Sequence, residues 1–322
     1  MAYKLLNNVR NQVSELLKML DLKCEKNIED AVKRKKLNFI SGCVDKEGKE
    51  YIFKVKIADS KYQPEKISEL KIEFSRELYF YNEIKKKKNL PVQNIIPNLI
   101  QSGSAPLKWI LYKKVRGNSL VSNSTFPIPN SISNNNKIIS NLVENILKMQ
   151  EINHQRITDL RIFDFKIYKK IFNQVLDSPK NSELLSFDKL KRALDTFESK
   201  EKLFNQNLIL THGDLNPGNI IVNQNKIVFI DWEKVRFDNI ASDLAFLWVK
   251  SALSNEYRNK IILKFSSMVK SKEEFNELFR FDSIIWLIHE INWWEGKMKN
   301  NIERPLAKKF LSIYQGDLNK LL

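Results

Sequence analysis

Two polar motifs enclose one short apolar stretch near position 220, and that arrangement restricts the fold more than anything else in the chain. The first is Thr211-His212-Gly213-Asp214-Leu215-Asn216-Pro217-Gly218-Asn219, with the spacing H-x-D-x-x-x-x-N. The second is Ile230-Asp231-Trp232-Glu233. Between them, Ile220-Ile221-Val222 and Ile227-Val228-Phe229-Ile230 flank the polar turn Asn223-Gln224-Asn225, the pattern of two short strands in a hairpin. Such a hairpin returns Asn219 and Asp231 to the same end, within reach of one metal ion. Asp214 can then take a proton from an attacking hydroxyl, while Asn219 and Asp231 offer the hard oxygens that Mg²⁺ prefers. The structural alternative is an Asx-rich turn before a buried hairpin, with His212 and Asp231 as satisfied polar groups. A lone H-x-D would not separate the two. The added Asn and the second acidic motif favour chemistry.

These residues resemble the aminoglycoside phosphotransferase and choline kinase superfamily. Its members carry H-G-D-x-x-x-x-N where protein kinases have H-R-D, and D-[WF]-[ED] where they have D-F-G. The resemblance implies an α+β, two-lobed protein-kinase-like fold, with a small antiparallel-sheet lobe and a larger, mostly helical lobe. It implies transfer of the γ-phosphate of ATP, or of another nucleoside triphosphate, to a small-molecule hydroxyl with Mg²⁺. Carried over by position, Asp214 is the catalytic base, and Asn219 and Asp231 are the metal ligands on the nucleotide. Asp243, in Ala241-Ser242-Asp243-Leu244-Ala245, matches a D-L-A element whose Asp holds loops together.

The small lobe follows the same logic. Leu37–Val44 and Tyr51–Ile57 read as strands joined by the turn Asp45–Lys49. Tyr51-Ile52-Phe53-Lys54 lines up with the V-A-I-K strand of kinases, which makes Lys54 the phosphate-facing lysine, with Lys56 as its same-face rival. No G-x-G-x-x-G precedes it, and only Ser41-Gly42-Cys43 could approach phosphate through backbone. A helix from about Glu65 to Lys88 shows one apolar face through Ile67, Leu70, Phe74, Leu78, Tyr81 and Ile84. Within it, Arg76-Glu77 resembles an R-E-x-x-x-Y segment whose Glu pairs with the lysine; Glu73 is the alternative. Leu107–Val115 is expected to run into the hinge, followed by a G-x-x-L exit at Gly117–Leu120. The implied division is an N-terminal amphipathic helix over 1–30, a nucleotide-binding lobe and hinge over 31–117, and a catalytic and acceptor-binding lobe over 118–322. The segment from His154 to Asn207 is helical in pattern and carries no readable motif.

Composition sets the limits. The 43% hydrophobic content of 322 residues supplies a full core. No apolar run reaches the roughly 18 residues of a membrane span. Leu5, Leu6, Val9, Val13, Leu16, Leu17 and Leu20 recur at helical spacing, so the N-terminus reads as a helix packed on the body rather than a secretory signal. With only Cys24 and Cys43, no disulfide framework or Cys-based zinc site is expected, and the reading is cytoplasmic. A net charge of +16 raises the question of nucleic acid. The basic runs Lys33–Lys36 and Lys85–Lys88 lack interleaved aromatics and a nucleic-acid motif, so they read as solvated faces. Oligomeric state is left open.

The acceptor is the least determined part. Glu233 stands two residues after Asp231, so strand alternation would aim both at one face. Trp286, Glu290 and Trp293 recur at helical spacing and could set aromatic faces and a carboxylate around an ammonium by cation–π attraction. The competing reading is that these tryptophans fill core. The sequence therefore points to an amino alcohol of the choline or ethanolamine type, with an aminoglycoside or sugar as the alternative acceptor. A protein kinase is disfavoured by D-W-E and by the lack of an A-P-E segment. A non-catalytic nucleotide- or RNA-binding protein is disfavoured by the intact Asp214, Asn219 and Asp231.

Overall fold

The computed structural model describes residues 2–26, 38–56, 64–87, 89–105, 107–121, 127–152, 155–176, 187–206, 208–298 and 300–322. The basic run 33–36, Lys88, and the side chains of Leu5, Leu6, Ile67 and Leu70 lie outside the described residues. The chain divides into two compact units, Met1–Arg116 with Val228–Lys234, and Gly117–Ile227 with Val235–Leu322.

In the smaller unit, five antiparallel strands lie in the order β1-β2-β3-β5-β4. They are β1 (Lys23–Cys24), β2 (Asn38–Val44), β3 (Glu50–Lys56), β4 (Leu99–Gly103) and β5 (Trp109–Lys113). Alternation sends Phe39, Phe53, Val55, Trp109 and Leu111 to one face. There they close on Val9, Val13 and Leu16 of helix α1 (Ala2–Met19). The N-terminal apolar stripe is thus part of this lobe's core. The other face carries Lys54 and Tyr112 towards helix α2 (Pro64–Lys86), whose Tyr81 stacks on Tyr112 at 6.0 Å. The apolar face of α2 encloses a carboxylate: Glu77 is buried in line with Phe74, Tyr81 and Ile84. Strand β1 carries too few residues for a readable alternation, and the register of β4 shifts between Leu99 and Gln101.

One expectation is corrected here. Cys24 and Cys43 face each other in the β1–β2 register and form a disulfide. Two cysteines nineteen residues apart carry no spacing signature. Only strand pairing brings them together. Closing a loop of that size stabilises by about 3 kcal/mol.

The larger unit is mostly helical. Its helices are α3 (Asn130–Ser133), α4 (Asn136–Gln150), α5 (Phe165–Leu176), α6 (Phe187–Glu198), α7 (Glu201–Asn205), α8 (Ser242–Lys250), α9 (Asn255–Ser266), α10 (Lys272–Lys297) and α11 (Arg304–Leu321). Helix α10 starts where the Ser271 side chain accepts the Glu274 amide, with Glu273 and Glu274 in its first turn and Lys297 in its last, as the helix dipole favours. Phe165, Tyr168, Phe172, Phe197, Phe204 and Phe281 form a continuous aromatic core among α5, α6, α7 and α10. The strands are short: β6 (Asn118–Ser119), β8 (Ile220–Asn223) and β9 (Lys226–Phe229) in one sheet, β7 (Ile209–Thr211) and β10 (Arg236–Asp238) in another. The β8–β9 hairpin turns at Gln224, whose φ is +57°. Gly117 precedes β6 at φ +125°, and a Cβ there would lie 2.4 Å from the Val222 carbonyl oxygen. Only glycine fits. Among the described residues no helix is long and apolar enough to cross a membrane.

Candidate active site

Lys54 is the focus of the smaller lobe's polar residues. It sits on β3 opposite Ile110 and is 1% exposed. Its Nζ lies 2.7 Å from Glu77 on α2, 2.7 Å from Asp231 and 2.8 Å from Glu233. Burial alone would lower the Lys54 pKa; the charges of Glu77, Asp231 and Glu233 outweigh it and hold the ammonium well above its usual range. Lys56, the rival, is also buried, and burial pushes its pKa down. Glu73 acts on Lys56 electrostatically, whereas Glu77 bonds Lys54 directly.

Asp231 and Glu233 reach Lys54 by a route other than strand alternation. Trp232–Lys234 is a 3₁₀ turn, and Asp231 enters it at φ +66°, a left-handed conformation that Asp tolerates better than most residues. Trp232 anchors the turn. It is fully buried, stacks on Phe80 of α2 at 4.7 Å, and donates its Nε1–H to the Phe229 carbonyl at 2.8 Å. Asn38 of β2 donates to Glu233 at 2.6 Å. Phe80 and Glu77 sit on the same helix, so packing of the tryptophan sets the register of both acids against the lysine.

One carboxylate oxygen from each of Glu77, Asp231 and Glu233 lies within 4.8 Å of the other two, and hard oxygen donors so grouped suit Mg²⁺. The residues therefore fit a divalent cation. Burial pushes the Glu77 carboxyl up to about 7, against the pull of Lys54 and with the charges of Asp231 and Glu233 adding to the rise. Its folded pKa exceeds the unfolded one. The resulting stability is full below the unfolded value of 4.5 and is lost as pH rises towards about 7. Urea melts from pH 4.5 to 8 should show that fall, and Glu77→Gln should flatten it. An unchanged slope in the variant would assign the fall to other groups.

In the larger lobe the loop after β7 is held at every peptide. Asp243, at the start of α8, accepts the His212 amide at 2.7 Å and the Gly213 amide at 2.9 Å. Burial raises the Asp243 pKa, and His212, both amides and Arg236 pull it back. Gly213 takes φ +75°, where a side chain would be strained. The Asp214 amide donates to His212 Nδ1 at 3.3 Å, so this imidazole orients the loop. The Asp214 carbonyl accepts from the Asn216 amide at 2.7 Å and from Asn219 Nδ2 at 2.9 Å. Asn219 thus spends its NH₂ group on the loop, which leaves its side-chain oxygen as the end that could meet a cation. Asp214 and Asn219 belong to the larger unit, and Lys54, Glu77, Asp231 and Glu233 to the smaller.

The tryptophan helix separates into unlike members. Trp286 is half-buried and packs edge-on against Phe246 at 4.5 Å. Trp294 is core, stacked on Phe310 at 4.4 Å. Trp293 is 48% exposed, with Lys297 5.1 Å from its ring centre. A cavity of about 200 Å³ is lined by Lys250, His289, Glu290, Trp293, Trp294, Phe310 and Tyr314; Trp286 and Glu233 do not line it. Glu290 is buried and bonded to Lys250 at 2.6 Å. Burial would raise its pKa, but His289 and Lys250 keep it below the usual range.

The motifs did not reveal Phe163, Tyr168, Arg236 and Asp238, which meet beside the loop. Phe163 and Tyr168 come from the segment without readable motifs, and nothing local distinguishes them from core aromatics. The pair Arg236 and Asp238, two apart on a strand beside the D-L-A element, was the available signal.

A search of curated proteins finds no match. Solved structures share the fold. The GDP complex of wild-type aminoglycoside 2'-phosphotransferase-IIIa has 11% identity and a TM-score of 0.59, covering 86% of this chain and 89% of that one. A choline/ethanolamine kinase family protein from Mesorhizobium loti has 13% identity and a TM-score of 0.59, covering 88% and 84%. A thermostable mutant of aminoglycoside phosphotransferase APH(4)-Ia, in ternary complex with ADP and hygromycin B, has 12% identity and a TM-score of 0.60, covering 96% of each. A family model described as the phosphotransferase enzyme family matches residues 43–266. With that match over more than half its length, and the protein-kinase-like fold that the solved structures share, the chain belongs to the phosphotransferase enzyme family.

Proposed function

We propose that this phosphotransferase moves the γ-phosphate of ATP to the hydroxyl of a small amine-bearing alcohol of the choline or ethanolamine type. The observation that carries the nucleotide half is the buried Lys54–Glu77 pair at 2.7 Å, a lysine fixed in one position as a positive point for phosphate oxygens. Two of the solved structures that share the fold hold GDP and ADP, in keeping with this reading. In the step itself, the Asp214 carboxylate takes the hydroxyl proton as the acceptor oxygen attacks the γ-phosphorus. The bond from that phosphorus to the β–γ bridging oxygen breaks, and nucleoside diphosphate leaves. Mg²⁺, held by Asn219 and Asp231, would neutralise charge on the phosphates. The chain's own work is positioning, with Asp243 and His212 fixing the loop that carries the base.

The acceptor half rests on the cavity of α8, α10 and α11, where the ionised Glu290 lies among Trp293, Trp294, Phe310 and Tyr314. An ammonium there would replace Lys250 on Glu290. A second reading, an aminoglycoside or amino sugar, is favoured by distance. Asp243, which holds the catalytic loop, and Lys250, which lines the cavity, are seven residues apart on α8. That places them on nearly the same helix face about 10 Å apart, a span that suits a multi-ring amine better than choline.

The test is ATP consumption, with product mass measured, against choline, ethanolamine, aminoglycosides and neutral sugars. Glu290→Gln should raise the acceptor KM about tenfold, the loss of a charged contact worth about 1.4 kcal/mol. Trp293→Ala should raise it only about threefold, because exposed cation–π contacts contribute about 0.5–1 kcal/mol. Turnover of a neutral sugar alone, indifferent to both substitutions, would discard the amine.

A further inference from the structure

We propose that Arg236 is a positioning residue for the catalytic loop, holding the peptide that precedes Asp214. Arg236 lies on β10 opposite Thr211, the last residue before the loop. Its guanidinium is buried and each of its three nitrogens donates a hydrogen bond. Nε donates to Asp238 at 2.8 Å, one terminal nitrogen to the Ser242 hydroxyl at 3.2 Å, and the other to the Gly213 carbonyl at 3.1 Å. Its flat face lies 4.1 Å from the centre of the Phe163 ring.

The Gly213 carbonyl and the Asp214 amide are two ends of one planar peptide. Arg236 holds its oxygen and His212 its nitrogen. With both ends fixed, the plane cannot rotate, and the direction in which the Asp214 side chain leaves the backbone is set. The glycine of H-G-D makes this possible, because its left-handed φ turns the carbonyl towards β10 without a Cβ in the way.

The clamp is itself braced. The Asp238 carboxylate accepts Arg236 and the Ser242 hydroxyl through one oxygen, and the Tyr168 hydroxyl at 2.7 Å through the other. Asn239 links Tyr168 to Asp282 on α10 at 3.1 and 2.9 Å. Segment 161–163 lies along β10, with the Phe237 amide donating to Arg161 and the Phe163 amide to Phe237, which places the Phe163 ring against the guanidinium. A lysine at 236 would keep the charge but could not reach Asp238, Ser242 and Gly213 together. Such investment in one backbone carbonyl is more than burial of an ion pair requires.

The catalytic consequence rests on the reading of Asp214 as base, so the experiment has two readouts. In Arg236→Lys, amide hydrogen exchange across residues 212–219 should speed up about tenfold or more, the loss of one charge-assisted hydrogen bond, with peptides of α9 and α11 unchanged. Mg²⁺-dependent ATP consumption should lose kcat by a similar factor, with the KM for ATP unchanged. Phe163→Leu, at a half-buried position, removes the stacked face and should shift both readouts in the same direction by a smaller factor; it decides the matter if Arg236→Lys does not fold. Asp214→Asn should lower turnover about a hundredfold or more with exchange unaltered. If it retains turnover, the base assignment fails, while exchange still judges Arg236. A folded Arg236→Lys, or failing that Phe163→Leu, with parental exchange over 212–219 overturns the proposal.

Discussion

Asp214→Asn is expected to lower phosphoryl transfer about a hundredfold or more while leaving nucleotide affinity nearly unchanged. General-base catalysis contributes roughly 10²–10⁴, and the substitution removes the proton acceptor with little change in volume. The backbone that carries position 214 is held by Asp243, His212, Asn216 and Asn219 through main-chain atoms of the loop, contacts that an Asn at 214 leaves in place. Binding and chemistry should therefore separate cleanly. Nucleotide affinity from calorimetry and turnover from product formation form the pair to compare. Full turnover in the variant would remove Asp214 from its role. Asp231→Asn should behave differently, weakening Mg²⁺-dependent nucleotide binding as well.

The second large effect concerns stability. Lys54→Met removes the ammonium bonded to Glu77, Asp231 and Glu233, and the pair it breaks with Glu77 is almost fully buried on both sides. Breaking a buried pair by deleting one partner costs about 3–5 kcal/mol. Asp231 is 42% exposed in its side chain and adds little to that figure. The cluster left behind has oxygens within 4.8 Å of one another and no counter-charge from Lys54. Millimolar Mg²⁺ or Ca²⁺ should then raise the Tm of Lys54→Met far more than that of the parent protein. A variant as stable as the parent, or one indifferent to divalent ions, would show that the carboxylates escape their charge in another way. On the proposed function turnover should fall too, because the variant would lack a positive point for phosphate.

The motif regions were readable because their chemistry is local. Asp214 and Asn219 are five residues apart, one short loop sets their geometry, and the hairpin after them is written in two short apolar runs and a polar turn. The α1 stripe and the apolar face of α2 were legible for the same reason, since helix periodicity is a property of adjacent turns. Glu77 was legible only through its resemblance to a family segment. By pattern alone a carboxylate on that face is an interruption, and its burial makes sense once Lys54 is across from it.

What lay beyond the linear pattern depended on partners distant in the chain. Asp231 and Glu233 share Lys54 because Trp232 drives a 3₁₀ turn into Phe80, a contact 152 positions away in sequence that no alternation rule contains. Cys24 meets Cys43 only when β1 pairs with β2. Trp286, Trp293 and Trp294 look interchangeable along a helix until Phe246 and Phe310 claim two of them as packing. Arg236 reaches the Gly213 carbonyl with Phe163 on its flat face because β10 lies between β7 and segment 161–163. Spacing encodes which chemical groups one loop or one helix face can present together. Which groups are buried, paired and aimed is decided by contacts between elements, because desolvation and hydrogen-bond geometry depend on what closes over a residue from elsewhere in the chain.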